Sequence, residues 1–189
     1  IKIIISGGVS STVMPSSDPT IVIIVDDHHM SPSEYYTHGI GVTMVKHTRY
    51  TPAAKTNNYI EAVKQVQLAV GVGALEPVYY NDIQVFEGSN SNIFACIDGK
   101  LVTPASNMLR GITREVLLKI LKLDIPVEEV DFSVDVLRNA DEVFLTGSLK
   151  EVVPVVSIDG HAVGDGKVGL ITQEVMRQFK AFVRSGQWK

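Results

Sequence analysis

The sequence predicts an α/β (α+β) fold, built as a mixed, largely antiparallel sheet with helices packed on it. Three observations predict it. Short apolar runs of strand length outnumber the stretches with helical spacing. Neighbouring runs are joined by short polar turns at Asn81-Asp82, Asp98-Gly99 and Asp159-Gly160. Asp-Gly between apolar runs is a strong hairpin signal, so the strands pair locally and the helices have a sheet to cover.

Residues 1–5 and 21–26 read as two strands, separated by a Gly/Ser/Pro-rich loop from Ser6 to Pro19. Met30-Ser31-Pro32-Ser33 is a break, so residues 1–29 read as the end of one small domain and 30–189 as a larger one. A strand covers 39–45. Over 58–70, Ile60, Val63, Val66, Leu68 and Ala69 recur at helical spacing among Glu61, Lys64, Gln65 and Gln67, and Gly71 and Gly73 end that helix. Strand 78–80 turns into 84–86, and 92–97 turns into 101–103. A helix over 113–123 sets Val116, Leu117, Ile120, Leu121 and Leu123 against a wet face of Arg114, Glu115, Lys119 and Lys122. Residues 126–130 form a strand, 134–139 a short helix and 142–145 a strand. The runs 152–158 and 161–163 flank the third turn, and a last helix runs from about 170 to 183.

With 45% apolar and 20% charged residues, the chain can bury a core. A net charge of -4 with no basic run argues against a nucleic-acid partner. The longest apolar runs, such as 21–25, are far short of the roughly 20 residues a membrane span needs, so no membrane partner is expected. Cys96 is the only cysteine, which excludes an intramolecular disulfide and fits a reducing cytoplasm. No metal site is expected either. His28 and His29 are adjacent, and on a strand they would point to opposite faces. The chain opens at Ile1 inside an apolar run with no signal-peptide pattern, so an N-terminal part of the natural protein is expected to be missing.

Four short segments carry chemistry. Lys55 lies in Pro52-Ala53-Ala54-Lys55-Thr56-Asn57-Asn58-Tyr59, which holds no other charge. An arbitrary lysine is a solvated one, but in a low-charge, partly buried setting its ammonium form is disfavoured and its amine can condense with an aldehyde. Glu87 precedes Gly88-Ser89-Asn90-Ser91-Asn92. It is either an ordinary strand-end carboxylate or one that faces a pyridine nitrogen and keeps the ring protonated. Gly111-Ile112-Thr113 opens a helix, where free N–H groups and the dipole favour an anion, although a plain N-cap threonine has the same look. Thr146-Gly147-Ser148 ends an apolar strand with hydroxyls and a close-approach glycine. Arg49, Tyr50 and Tyr59 neighbour Lys55. If that run is helical, Tyr59 shares a face with Lys55, and otherwise these residues are packing and surface. No P-loop and no Gly-x-Ser-x-Gly elbow is present, and Cys96 reads as core.

In this order, the segments resemble the class IV aminotransferases, the fold-type IV enzymes that use pyridoxal 5′-phosphate (PLP). The matching runs include Lys55-Thr56-Asn57-Asn58-Tyr59, Glu87-Gly88-Ser89-Asn90-Ser91-Asn92, Leu109-Arg110-Gly111-Ile112-Thr113-Arg114 and Leu145-Thr146-Gly147-Ser148. The resemblance implies the pseudo-barrel large domain of D-amino acid aminotransferase-like enzymes with flanking helices. It implies PLP as cofactor, amino acid and 2-oxo acid substrates, and a homodimer. It makes Lys55 the lysine that bonds to the cofactor aldehyde and moves the substrate proton. Glu87 becomes the partner of the ring nitrogen, and Leu109 the apolar residue against the ring. Ile112, Thr113 and Ser148 become phosphate ligands, with Gly111 and Gly147 shaping the turns and Tyr59 beside the ring oxygen. Branched-chain and D-amino acid transaminases both fit. An aminodeoxychorismate lyase of the same scaffold and a truncated, catalytically silent domain are the alternatives.

Overall fold

The computed structural model describes residues 1–27 and 31–187. His28-His29 and the start of the break at Met30 therefore lie outside the described residues. The chain forms two compact units, 1–30 and 31–189.

The first unit is a two-stranded antiparallel ribbon of β1 (Lys2–Ser6) and β2 (Thr20–Ile24), with Lys2 opposite Ile24 and Ser6 opposite Thr20. The run of isoleucine and valine favours extended backbone. Of the ten strand residues only Ile4 is half-buried, and the others are exposed.

The second unit holds a nine-stranded sheet. Its strands are β3 (Ile40–Lys46), β4 (Glu76–Tyr80), β5 (Val85–Gly88), β6 (Asn92–Ile97), β7 (Lys100–Thr103), β8 (Val127–Glu129), β9 (Glu142–Gly147), β10 (Glu151–Ile158) and β11 (His161–Ala162). The spatial order is β5-β4-β3-β10-β9-β6-β7-β8, with β11 on β10. Pairing is parallel only for β3–β4, β3–β10 and β7–β8. The sheet curls, so that the edge strand β5 comes back beside β6. The helices are α1 (Glu34–Thr37), α2 (Ile60–Gly71), α3 (Ile112–Ile120), α4 (Val134–Arg138) and α5 (Leu170–Ser185).

Strand alternation sorts the core into two layers. Ile93, Ala95, Val143 and Leu145 point to one face, with Val78, Val153 and Leu137. Phe94 and Phe144 point to the other, stacked at 5.0 Å, beneath Leu117 of α3 and Val175 and Phe179 of α5. Three expectations need correction. Helix α1 was not expected; at four residues it leaves too short a pattern to see. The apolar residues of α2 do not form its buried face, because Ile60, Val63 and Leu68 are exposed while Ala69 packs inward. Arg114 is not on a wet face. It is fully buried, donating to the Pro104 carbonyl at 2.8 Å and to Glu129 at 2.7 Å.

Candidate functional site

Glu87 is the next-to-last residue of β5 and is 4% exposed. Its Oε2 accepts the backbone N–H of Leu109 at 3.0 Å. Its Oε1 lies 3.0 Å from Nε of Arg49, but neither of these two buried atoms completes a hydrogen bond. The N–H of the guanidinium does not point at the carboxylate, and the contact is electrostatic only. Arg49 is anchored instead through Nη2, which donates to the Pro52 carbonyl at 2.6 Å. Burial pushes the Glu87 carboxyl up to about 7; Arg49, the Leu109 N–H and Lys55 pull it down, and the Glu76 carboxylate adds to the rise. Desolvation outweighs the cation because the acid has lost its water without a full set of donors in return.

Lys55 lies on the irregular segment between β3 and α2 and is exposed. The expected partly buried setting is absent, because this segment folds back through local turns, such as Ala54 N–H to the Thr51 carbonyl at 3.1 Å, and lays no side chains over the lysine. The Lys55 charge is nevertheless felt at Glu87, whose carboxyl it pulls down. Residues 55–59 are not helical, and Tyr59 is the N-cap of α2, so Lys55 and Tyr59 share no helical face. Tyr59 instead lines a cavity of about 370 Å³ with His47, Arg49, Tyr79 and Ser89.

The two Gly/Ser/Thr turns are brought together by Asn92. Its side-chain amide donates to the Leu109 carbonyl at 2.6 Å and accepts the Gly111 N–H at 3.2 Å. Its backbone pairs in register with Thr146. Gly111 caps α3 in an extended conformation without a side-chain cap, so the first-turn N–H groups of the nine-residue helix are available to a ligand. Ile112 is exposed and Thr113 is buried. Gly147 ends β9, Ser148 is exposed in the turn that follows, and Thr146 Oγ1 is buried without a partner.

Four residues were missed or undervalued by sequence reasoning. Arg49 was weighed as packing or surface. Asn92 was visible only as part of a polar run. Glu76 and Lys150 were not singled out; they are 74 positions apart and meet only through the fold. Glu76 is 2% exposed. It accepts hydrogen bonds from Ser89 Oγ at 3.0 Å, Asn90 N at 3.0 Å, Ser91 Oγ at 2.5 Å and Lys150 Nζ at 2.6 Å.

A buried carboxylate with an unsatisfied oxygen, a helix start with free donors and a second hydroxyl-bearing turn fit a ligand with a protonated ring nitrogen and a phosphate. The orphaned Oε1 of Glu87 is the specific test of that fit, since a ring N–H would supply the donor that Arg49 does not. Among the described residues, no cluster of three His, Cys, Asp or Glu is placed to hold a metal ion, and no helix is long and apolar enough to cross a membrane. Cys96 is buried in β6, and burial pushes its thiol up to about 11.

Comparison with known proteins bears on the family and the fold. The family model for amino-transferase class IV matches residues 1–158. A D-alanine aminotransferase of Staphylococcus aureus (strain MSSA476) is 37% identical over 175 residues, covering 90% of this chain and 62% of that protein. The crystal structure of Escherichia coli branched-chain amino acid aminotransferase superposes with a TM-score of 0.79 at 30% identity, covering 92% of this chain and 62% of that one. A branched-chain amino acid aminotransferase from Thermobaculum terrenum, in its PLP-form, superposes with a TM-score of 0.75 at 26% identity, covering 84% of this chain and 55% of that one. The chain thus spans about three fifths of the length of the relatives it matches.

Proposed function

The chain belongs to the amino-transferase class IV family, and we propose that it is the PLP-holding part of an enzyme that transfers an amino group between an amino acid and a 2-oxo acid. Bound PLP would supply an aldehyde to capture the amino group and a ring to draw electrons from the adjacent carbon. The chain's own residues do the rest. Glu87 would hold a proton at the ring nitrogen, and Arg49 favours the charged form of the carboxylate against the effect of burial. Lys55 would hold the cofactor through its aldehyde and carry the substrate proton. Leu109, whose N–H already fixes Glu87, would pack against the ring. Ile112 and Thr113 at the start of α3, and Ser148 beyond β9, would hold the phosphate, while Gly111 and Gly147 would let the backbone approach. Tyr59, which lines a cavity with Arg49, would serve the ring oxygen.

The observation that carries this reading is the orphaned, buried Oε1 of Glu87 beside a cation that does not hydrogen-bond to it. D-alanine and branched-chain substrates are both in keeping with the relatives. Residues 1–29 are read as the remnant of the small domain and 30–189 as the large domain of a cytoplasmic homodimer. The decisive experiment adds PLP and follows the visible absorption of the bound cofactor, then offers D-amino acids and branched-chain L-amino acids with a 2-oxo acid. A cofactor band that amino acids discharge supports the reading, and no band at saturating PLP overturns it.

A further inference from the structure

Glu76 is a buried carboxylate that needs a reason. Taking a carboxylate and an ammonium out of water costs several kcal/mol per ion, by order of magnitude, and a buried pair is weak evidence of stability by itself. The reason lies in where the four donors come from. Ser89, Asn90 and Ser91 form the turn that joins β5, which ends at Glu87's neighbour Gly88, to β6, which begins at Asn92. Lys150 belongs to the turn between β9 and β10, two residues beyond Ser148. Glu76 binds both turns and therefore fixes their separation.

The fit is tight. A methyl group on Gly88 would lie 2.3 Å from Ser91 Oγ and 3.2 Å from the Glu76 carboxylate. One on Gly147 would lie 3.3 Å from the Asn90 carbonyl and 3.5 Å from Lys150 Cγ. The Lys150 carbonyl is held in addition by Tyr36 Oη at 3.1 Å. With Nζ drawn inward to Glu76 and only 17% of the side chain exposed, Lys150 leaves Ser148 as the outward-facing hydroxyl of its turn.

We propose that Glu76 and Lys150 are a positioning pair that presents the Ser148 turn to a phosphoryl group. This rests on the reading of Ser148 as a phosphate ligand. Lys150 serves twice: it holds the turn against the Ser89–Ser91 loop, and it offsets the Glu76 charge, which would otherwise repel a dianion. The pair therefore acts on the phosphate and not on the ring, whose nitrogen is served by Glu87.

The experiment titrates PLP, pyridoxal without its phosphate, and inorganic phosphate into the 189-residue chain, its Lys150→Met variant and the Glu76→Gln/Lys150→Met variant. Lys150→Met should weaken PLP and phosphate by tenfold or more while leaving pyridoxal within about twofold. The double variant, which no longer buries an unpaired charge, should recover part of the phosphate affinity. Equal losses for PLP and pyridoxal would reduce the pair to a structural one and overturn the proposal, as would wild-type phosphate affinity in both variants. If Lys150→Met does not fold, the double variant alone decides by the same PLP-to-pyridoxal ratio. If the unaltered chain binds neither PLP nor phosphate, the reading of the Ser148 turn falls and the pair's role with it. Loss confined to the variants leaves that reading standing.

Discussion

Arg49 and Glu87 face each other inside the protein, Nε and Oε1 3.0 Å apart, yet neither atom completes a hydrogen bond. The arrangement keeps a cation close enough to bias the carboxylate electrostatically and leaves the oxygen's lone pairs for another donor. Its consequences are measurable with and without cofactor.

Without cofactor, the raised Glu87 carboxyl gives stability a definite slope. In the unfolded chain the group titrates near 4.5 and in the folded chain near about 7. Between those values the unfolded state has released the proton and the folded state has not, so stability falls as pH rises through the window and is then level. The full effect is on the order of 3 kcal/mol. Urea midpoints of the chain and of Glu87→Gln, measured at about pH 5 and about pH 8, should show the variant gaining relative stability at the higher pH. Parallel pH profiles would mean that Glu87 titrates normally.

With cofactor, the same carboxylate should matter to the chemistry. Glu87→Gln should retain the fold but slow transamination by about 10²-fold or more, which corresponds to roughly 2.7 kcal/mol of barrier. Single-turnover discharge of the cofactor band by an amino acid measures this directly, and an unchanged rate would remove Glu87 from the mechanism.

Much of this was legible in the sequence, and the remainder was hidden for identifiable reasons. The Asp98-Gly99 and Asp159-Gly160 turns announce their hairpins because Asp98 and Asp159, like the glycines after them, adopt positive φ, a conformation few other residues tolerate. Glu87 and the start of α3 were readable because each sits in a short polar run at the edge of an apolar one. Arg114 was not, since its burial depends on Pro104 and Glu129, and helical spacing alone puts it on the surface. Nor was the clamp of Asn92 on Gly111 or of Glu76 on Lys150, because partners 19 and 74 positions apart leave no periodic trace. The exposure of Lys55 shows the same limit: an uncharged neighbourhood in sequence is not a dry one in space.

Lys55 should be the residue that bonds to PLP. It is exposed, so Lys55→Ala should change stability by no more than about 0.5 kcal/mol. Borohydride reduction in the presence of PLP should fix the cofactor to the unaltered chain at Lys55 and leave the variant unlabelled. Peptide mapping that finds the label on another lysine in the variant would move the assignment.

The Gly111–Asn92 contact predicts a coupled pair. A methyl group on Gly111 would lie 2.3 Å from Asn92 Oδ1, far inside contact distance, while Asn92 is itself only 5% exposed and holds both Leu109 and Gly111. Gly111→Ala should therefore displace the amide and tilt the start of α3, weakening phosphate binding and costing about 1–3 kcal/mol of stability through the disturbed buried hydrogen bonds. Asn92→Ala should cost a similar amount, because it strips the Leu109 carbonyl and the Gly111 N–H of their partner. The two should not add. Once the amide is gone the alanine at position 111 has room, so the double variant should be little worse than Asn92→Ala alone, with a coupling of about 1 kcal/mol or more. Thermal unfolding of the four proteins closes the cycle. Additive losses would mean that the tightness at Gly111 is relieved by backbone movement instead, and that Asn92 does not set the geometry of the helix start.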